Sequence, residues 1–493
     1  MNNNSETRFD ATTVQHYISV VANKIQVLTQ KVDEISQHDY TSPSPIALSE
    51  ILIRILSRFL DHLKSLSIKA AYQPPEDIIR AVYAINHILV SIIPELIEAI
   101  EGADNDAPMA SVIEAYEFIG SQVQYGTQTI IHPTWEYNAS SNEIMKYLKK
   151  ITGSLSQEAS KAIFSGAPLN FVIITYPKAE EPIVLRQALI AHEVGHFIEE
   201  SINKWSDSLF NEQLLNPKDI EDIFTKTQND DKGELQSKIM QIIERMALPW
   251  LKEIISDFLA ISMMGPAYLF AFDEISFSPK YSYPRKLSLS HPPDQLRKAI
   301  MGVWITKMFT TPVRKSKEFR NFSKEQLDVF EKVSQRVEVI SQGDNIQFNS
   351  IGNNTEFSQD ILNIVYSALK NVLEKSALIL QEQKFKTIEN EQWICRVVDI
   401  VDAIKLEDLL LHGLTPTELY ETPLRDPSFA AVMNSGWFHL IRCEKDYFYF
   451  TDSSEPTATP EQITTRYINL QNLVAKGIES LHFKREFDRR KGM

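Results

Sequence analysis

The run Leu189-Ile-Ala-His-Glu-Val-Gly-His-Phe-Ile is the feature that most constrains this 493-residue chain. It contains His192-Glu193-x-x-His196, and residues four apart on a helix share one face, about 5–6 Å from each other. Both imidazoles can then reach one metal ion, with Glu193 beside them. Leu185, Ala188 and Leu189 ahead of the motif are apolar, so this helix expects burial, yet the motif sets three polar groups on its continuation. Buried polar groups without partners are costly, and a shared ligand satisfies both histidines more cheaply than separate partners would. Gly195 adds a second constraint. Glycine inside a helix costs about 1 kcal/mol relative to alanine, and close approach of another segment would offset that loss.

The ligand chemistry is narrowed by what the chain lacks. Cys395 and Cys443 are its two cysteines, too few for a disulfide framework or a thiolate cluster. A metal must be held by His, Asp and Glu. Neutral imidazole suits Zn2+, which acidifies its bound water enough to supply hydroxide near neutrality. Glu193 would take the water's proton and pass it to the leaving amine. The extended motif with a third histidine is excluded, because residue 202 is Ile. Downstream, Glu253 and Asp257 fall one turn apart on a helix otherwise made apolar by Ile254, Ile255, Phe258, Leu259 and Ile261. Glu253 would complete a His-His-Glu set with the fourth position open. Asp257 would accept the free N–H of a ligating imidazole, His192 being best placed, and so fix its tautomer. Glu199 and Glu200 are weaker ligand candidates, since their own helix limits their reach. The remaining histidines outside Ser290–Arg297 lack partners at ligand spacing.

Taken together, His192-Glu193-Val-Gly-His196 and Glu253-Ile-Ile-Ser-Asp257 resemble the gluzincin metallopeptidases, whose second motif is ExxxD. Ser290-His291-Pro-Pro-Asp-Gln-Leu-Arg297 is similar to a stretch of the CaaX prenyl endopeptidase and heat-shock membrane metalloprotease family. The resemblance covers residues 165–305. It implies a zincin-like core, a zinc cofactor and a peptide or protein substrate cut by an endopeptidase. It also implies that His291 bonds the substrate or the developing oxyanion and that Arg297 supports it. Gluzincins hold their peptides along an edge strand, a role for which Phe171–Tyr176 precedes the motif in the right order. Tyr281, Tyr283 and Arg285, in an irregular polar stretch between the ligand helix and His291, are further candidate oxyanion donors by mechanism rather than by motif, the alternative being an ordinary loop. Two departures limit what carries over: this chain lacks the family's membrane spans, and Ser256 stands where Ala is usual.

The expected fold class is mainly α, with α+β in the centre. A helical domain would cover residues 1–140, a zinc metallopeptidase core with a small sheet 141–310, and a mainly helical domain 311–493. Val14, Ile18, Val21, Ile25, Leu28, Val32 and Ile35 form an apolar stripe along one helix. Further helices are expected near 47–70, 76–100, 108–126, from Val184 to Asn203, up to Gly265-Pro266, and near 359–383. Ser323 and Gln326 form a capping-box pattern. The Gly/Asn/Ser-rich 341–358 reads as a loop, and Trp437–Arg442 with Tyr447–Thr451 as a β-hairpin near 436–452.

Asp and Glu outnumber Lys and Arg by 65 to 50, a net charge of −15. That balance argues against a nucleic-acid or anionic-membrane partner, and the basic tail Lys484-Arg485, Arg489-Arg490-Lys491 reads as solvated. Ile78–Ile100 is interrupted by Arg80, Asn86, His87, Pro94 and Glu95, and Phe258–Phe272 is shorter than a bilayer requires. No secretory signal is recognisable at Met1–Asp10, so a cytoplasmic location is expected. The leading functional expectation is a soluble zinc endopeptidase. The competing ones are a non-catalytic zinc scaffold or binding protein and a gated regulatory or defence protease with one protein target.

Overall fold

Helices dominate the described residues, as the apolar periodicity predicts, and the strands among them are few and short. The computed structural model describes residues 11–38, 40, 44–103, 128–134, 140–143, 171–177, 183–199, 206, 232–276, 285–342, 348–352, 358–382, 394–417, 419, 426–447 and 459–491. Its contacts fall into two units, Met1–Met109 with Ile119–Ala179, and Ala110–Phe118 with Glu180–Met493.

The first unit begins with α1 (Ala11–Ile35), α2 (Ser44–Lys69), α3 (Pro75–Ser91) and α4 (Ile93–Gly102). The predicted stripe is the inner face of α1: Val14, Ile18, Val21, Ile25, Val32 and Ile35 are all buried, against Leu52, Phe59, Leu63 and Ile85 among others. Gln15 of α1 donates to the backbone carbonyl of Ser67 in α2 and accepts from the Ser67 hydroxyl, and Lys24 donates to Asn86 of α3. The single helix expected over 76–100 is divided at Ile92, because Pro94 has no N–H for the ladder and enters as an early residue of α4. Residues 75–102 are apolar enough to cross a membrane by composition, but 56% of their most apolar window is buried inside the structure. The helix expected over 108–126 lies outside the described residues.

Among the described residues this unit also has three strands, β1 (Gln128–Thr134), β2 (Ser140–Glu143) and β3 (Phe171–Pro177). The strand expected at Phe171–Tyr176 is there, but it is not an edge. β3 lies between β1, which it pairs in parallel, and β2, which it pairs antiparallel. Both of its hydrogen-bonding sides are taken, so the peptide-holding role implied by the resemblance does not fall to it.

The second unit holds the motif. The pattern starting at Val184 opens as a 3-10 segment, Val184–Leu189, and becomes α5 (Ile190–Ile198). At the opening turn, Leu185 N–H donates to Gln471 and Trp437 donates to Leu185 O. Next comes α6 (Lys232–Met264), a 33-residue helix ended by Gly265 at φ +61°, and then α7 (Pro266–Ile275). The break leaves backbone groups unpaired, and one side chain serves both ends. Asn434 donates to Met264 O and accepts from Ala267 N.

After β4 (Arg285–Leu287) come α8 (Asp294–Ile305), α9 (Thr311–Lys315), α10 (Lys324–Ser341), β5 (Phe348–Ile351), α11 (Gln359–Glu382), α12 (Val397–Leu411), α13 (Phe429–Arg442), α14 (Glu444–Tyr447) and α15 (Pro460–Lys491). The capping box at Ser323 and Gln326 is present on α10. The 341–358 stretch is not all loop: β5 pairs in parallel with β4, and Phe348 and Ile351 bury their side chains.

The first strand of the β-hairpin expected near 436–452 is helical instead. Trp437–Arg442 is the C-terminal half of α13, Tyr447 ends α14, and 448–452 lie outside the described residues. Every residue from Phe429 to Leu440 is buried. A helix covered on all sides has no apolar periodicity to distinguish it from a buried strand, and its aromatic residues were chosen by burial. Ser428 caps it by accepting from Ala431 N.

Candidate metal centre

Helices α5 and α6 meet at Gly195. A Cβ added there would stand 2.8 Å from Ser256 Cα and 2.9 Å from Ser256 O, so only glycine permits the contact. This is the close approach that Gly195 anticipates, and its effect is positional. With Ser256 pressed on the motif helix, Glu253 and Asp257 flank the contact and meet the two imidazoles. Ser256 Oγ is buried and, among the described residues, has no hydrogen-bond partner.

His192 Nε2 lies 3.2 Å from Glu253 Oε2, and His196 Nε2 lies 3.2 Å from Glu253 Oε1. Ligand atoms of His192, His196 and Glu253 all fall within 4.8 Å of one another, a group able to hold a metal ion. A tetrahedral site with ligand bonds of about 2.0–2.1 Å has edges of about 3.3 Å, so the spacing fits the donor set. The imidazole rings stand edge to face with centroids 4.6 Å apart.

Behind the ligands lies a buried polar shell. Asp257 Oδ1 is 3.0 Å from His192 Nδ1, and Tyr268 donates to the same oxygen at 2.5 Å. Arg297 grips Asp257 at two points, Nε to Oδ2 at 2.8 Å and Nη2 to Oδ1 at 2.6 Å, and its Nη1 lies 3.3 Å from Glu253 Oε2. The guanidinium rests on the Phe272 ring at 4.5 Å, while Tyr268 stacks parallel to His192 with its hydroxyl 3.2 Å from Nδ1. With Asp257 facing Nδ1, the proton of neutral His192 belongs there, which leaves Nε2 its lone pair.

The charge count also fits a cation. Glu193, Glu253 and Asp257 are buried carboxylates, and Arg297 is the one buried guanidinium among them. The excess negative charge acts on His192. Burial opposes its charge, but hydrogen bonds to Asp257 and Glu253 and the Asp257 charge raise its pKa to about 9 in the metal-free protein. For Glu253, burial works against ionisation, yet His192, His196 and Arg297 hold it well below the usual carboxylate range. Asp257 is likewise lowered to about 2, burial being outweighed by Arg297 and His192. Burial and the Asp257 charge push Tyr268 well up, so it remains a neutral donor. A dication supplies what His192 otherwise supplies by taking a proton.

His291 stands at the rim, its side chain 60% exposed, with Nε2 3.5 Å from Glu253 Oε1 and Nδ1 2.7 Å from Ser290 Oγ. Arg297 does not support it. The hydrogen bonds and ion pairs of Arg297 go to Asp257, Glu253 and His192, because α8 turns the guanidinium inward beneath the ligands. Glu199 accepts from Ser206 N at 2.7 Å and is not in the ligand group. Glu200, Tyr281 and Tyr283 lie outside the described residues, as does the side chain of Arg285.

Tyr268 is the residue that spacing along the sequence cannot reveal. It sits beyond the Gly265-Pro266 break, which returns the chain toward α5. Its one local signal is a hydroxyl within an otherwise apolar run, Tyr268-Leu-Phe-Ala-Phe.

A second group, Glu407, His439 and Cys443, also brings ligand atoms within 4.8 Å. There Arg442 Nη1 pairs with Glu407 Oε2 at 2.5 Å, His439 Nδ1 meets Glu407 Oε1 at 2.9 Å, and His439 Nε2 meets Tyr447 Oη at 3.0 Å. Comparison with family models, curated proteins and solved structures finds no match for the chain.

Proposed function

We propose that this chain is a zinc-dependent peptide hydrolase. One observation carries the reading: two imidazole nitrogens, each 3.2 Å from a different oxygen of Glu253, with a buried Glu193 next to His192 in the chain. Three protein donors leave a coordination position for water or substrate, whereas structural zinc sites are closed by four. Among the described residues, no fourth His, Cys, Asp or Glu joins the ligand group, which favours the hydrolase over a zinc scaffold.

Bound zinc supplies Lewis acidity that polarises a carbonyl and acidifies water. Glu193 accepts a proton from the attacking water at its carboxylate and returns it to the leaving nitrogen. Asp257 holds His192 through Nδ1, with Tyr268 and Arg297 fixing the carboxylate in turn. His291 stands at the exposed rim, where its imidazole can donate to a substrate oxygen. The peptide class rests on the resemblance of the HExxH and ExxxD pair to gluzincins.

Glu193→Gln tests the mechanism. The variant is expected to retain zinc in stoichiometric metal analysis. Its chelator-sensitive cleavage of a mixed peptide library should fall by about 100-fold or more. Wild-type cleavage with zinc still bound would refute the role of Glu193, and a zinc-loaded wild type inert on every peptide would refute the function.

A further inference from the structure

The end of α15 is exposed. Its last described turns carry Lys484, Arg485, Arg489, Arg490 and Lys491 against Glu486 and Asp488, in a chain whose net charge is −15. Two aromatic side chains stand out in the same turns, Phe483 at 70% and Phe487 at 57% exposed. They are four residues apart and so share one face. At about 100° per residue, Arg490 falls just to one side of Phe483, and Lys491 and Lys484 fall just beyond Phe487. The exposed Lys476 lies two turns earlier on the same line. Asp488 is rotated about 100° from Phe487, and Glu479 and Glu486 fall about 40° and 60° from Phe483 on the side of Arg490, so the cations that meet no acid along the helix lie on the Phe487 side.

Contacts within the protein hold this face outward. Leu470, Val474, Ile478 and Leu481 bury the opposite side of α15, and Lys484 ties to Asp426 at 2.5 Å. Lys491 Nζ lies 4.4 Å from the centroid of the Phe487 ring, so cation and aromatic ring are already side by side. Single exposed apolar residues need no explanation. Adjacent phenylalanines framed by cations match the makeup of a helix that lies in a membrane interface, with rings in the acyl boundary and cations at anionic headgroups.

We infer that the C-terminal end of α15 docks peripherally on an anionic lipid bilayer, with Phe483 and Phe487 inserted and Lys476, Arg490 and Lys491 at the headgroups. The charge complementarity names the occupant: a neutral apolar partner would leave the cations unused, whereas an anionic bilayer takes the rings into its acyl boundary and the cations at its headgroups. Nothing in this inference depends on the metal centre.

Co-sedimentation of the full chain with vesicles of phosphatidylcholine, with and without phosphatidylserine, tests it. The wild type should bind only the phosphatidylserine vesicles, and salt raised from about 0.1 M to about 1 M should weaken binding steeply. Arg490→Glu with Lys491→Glu should lower vesicle affinity by about 25-fold or more, from about fivefold per cation. Phe483→Ser with Phe487→Ser should lower it by about tenfold or more. Unchanged circular dichroism and melting temperature in both variants separate lost docking from lost folding, and the salt series needs no variant. Absence of phosphatidylserine-dependent binding by the wild type would overturn the inference. So would binding that neither variant reduces, or capture of an RNA oligonucleotide with none of vesicles.

Discussion

Two clusters in the second unit gather the same kinds of side chain and put their arginine in different places. At His192, His196 and Glu253, Arg297 takes its two-point grip on Asp257, a carboxylate outside the ligand group. Glu253 keeps an oxygen for each imidazole. At Glu407, His439 and Cys443, Arg442 takes the would-be ligand itself, and both nitrogens of His439 already face Glu407 and Tyr447. The first cluster sets the buried carboxylates of Glu253 and Asp257 against one guanidinium, with the buried Glu193 next to His192 in the chain, and the second balances Glu407 with Arg442. Proximity of donors is therefore a weak criterion for a metal site. What matters is whether lone pairs and charge are left over once the protein's own cations are counted.

The comparison breaks most sharply on the ligands. His196→Ala or Glu253→Gln should lower zinc affinity by more than the 10–100-fold that a residue outside the ligand set costs, while His439→Ala and Cys443→Ser should keep wild-type zinc content. Competition with a chelator of known affinity measures both. Zinc lost from Cys443→Ser and kept by His196→Ala would invert the assignment.

Arg442→Met probes the other side. It removes the guanidinium from the fully buried Glu407 and leaves His439 on its other oxygen, for which a loss of up to about 3–5 kcal/mol in denaturant unfolding is expected, with zinc content unchanged. A stability close to wild type would mean that Glu407 does not depend on Arg442 for its charge.

Asp257→Asn should weaken zinc binding by about 10–100-fold, and Tyr268→Phe by less, because Arg297 still holds the carboxylate. Equal zinc affinity in Asp257→Asn would remove the tautomer argument.

The smallest effect is protonic. With a metal-free pKa of about 9, His192 is protonated at neutral pH and must lose that proton to bind metal through Nε2. Zinc affinity should therefore rise by up to about tenfold per pH unit, about 1.4 kcal/mol, and level off as pH passes about 9. Calorimetry in buffers of different ionisation enthalpy should detect about one proton released near neutrality; none released would show His192 already neutral.

Much of this was legible in the residues. The 4,3 spacing of Val14 to Ile35 gave the buried face of α1, and a glycine inside an apolar helix announced the packing contact at Ser256. Glu253 and Asp257 were conspicuous as acids in a helix that otherwise wants burial. α13 is not recognisable as a helix from its residues, because a run buried on every side carries no period. β3 was readable as a strand but not as a central one, since strand order is a property of its neighbours β1 and β2. Arg297 could be placed near the site from its motif, but not turned inward, because its direction depends on where Phe272 and Asp257 lie.

Spacing within single helices determined the candidate ligands. His192 and His196 share a face whatever surrounds them, as do Glu253 and Asp257, because covalent geometry fixes side-chain direction over one turn. Tertiary structure decided everything that joins separate segments: the Gly195–Ser256 contact that brings the two pairs together, the return of Tyr268 past the Gly265-Pro266 break, and the choice of Asp257 rather than Glu253 as the main partner of Arg297. Those outcomes depend on competition among many buried groups for few partners, and only the packed chain settles which carboxylate keeps its lone pairs for a cation.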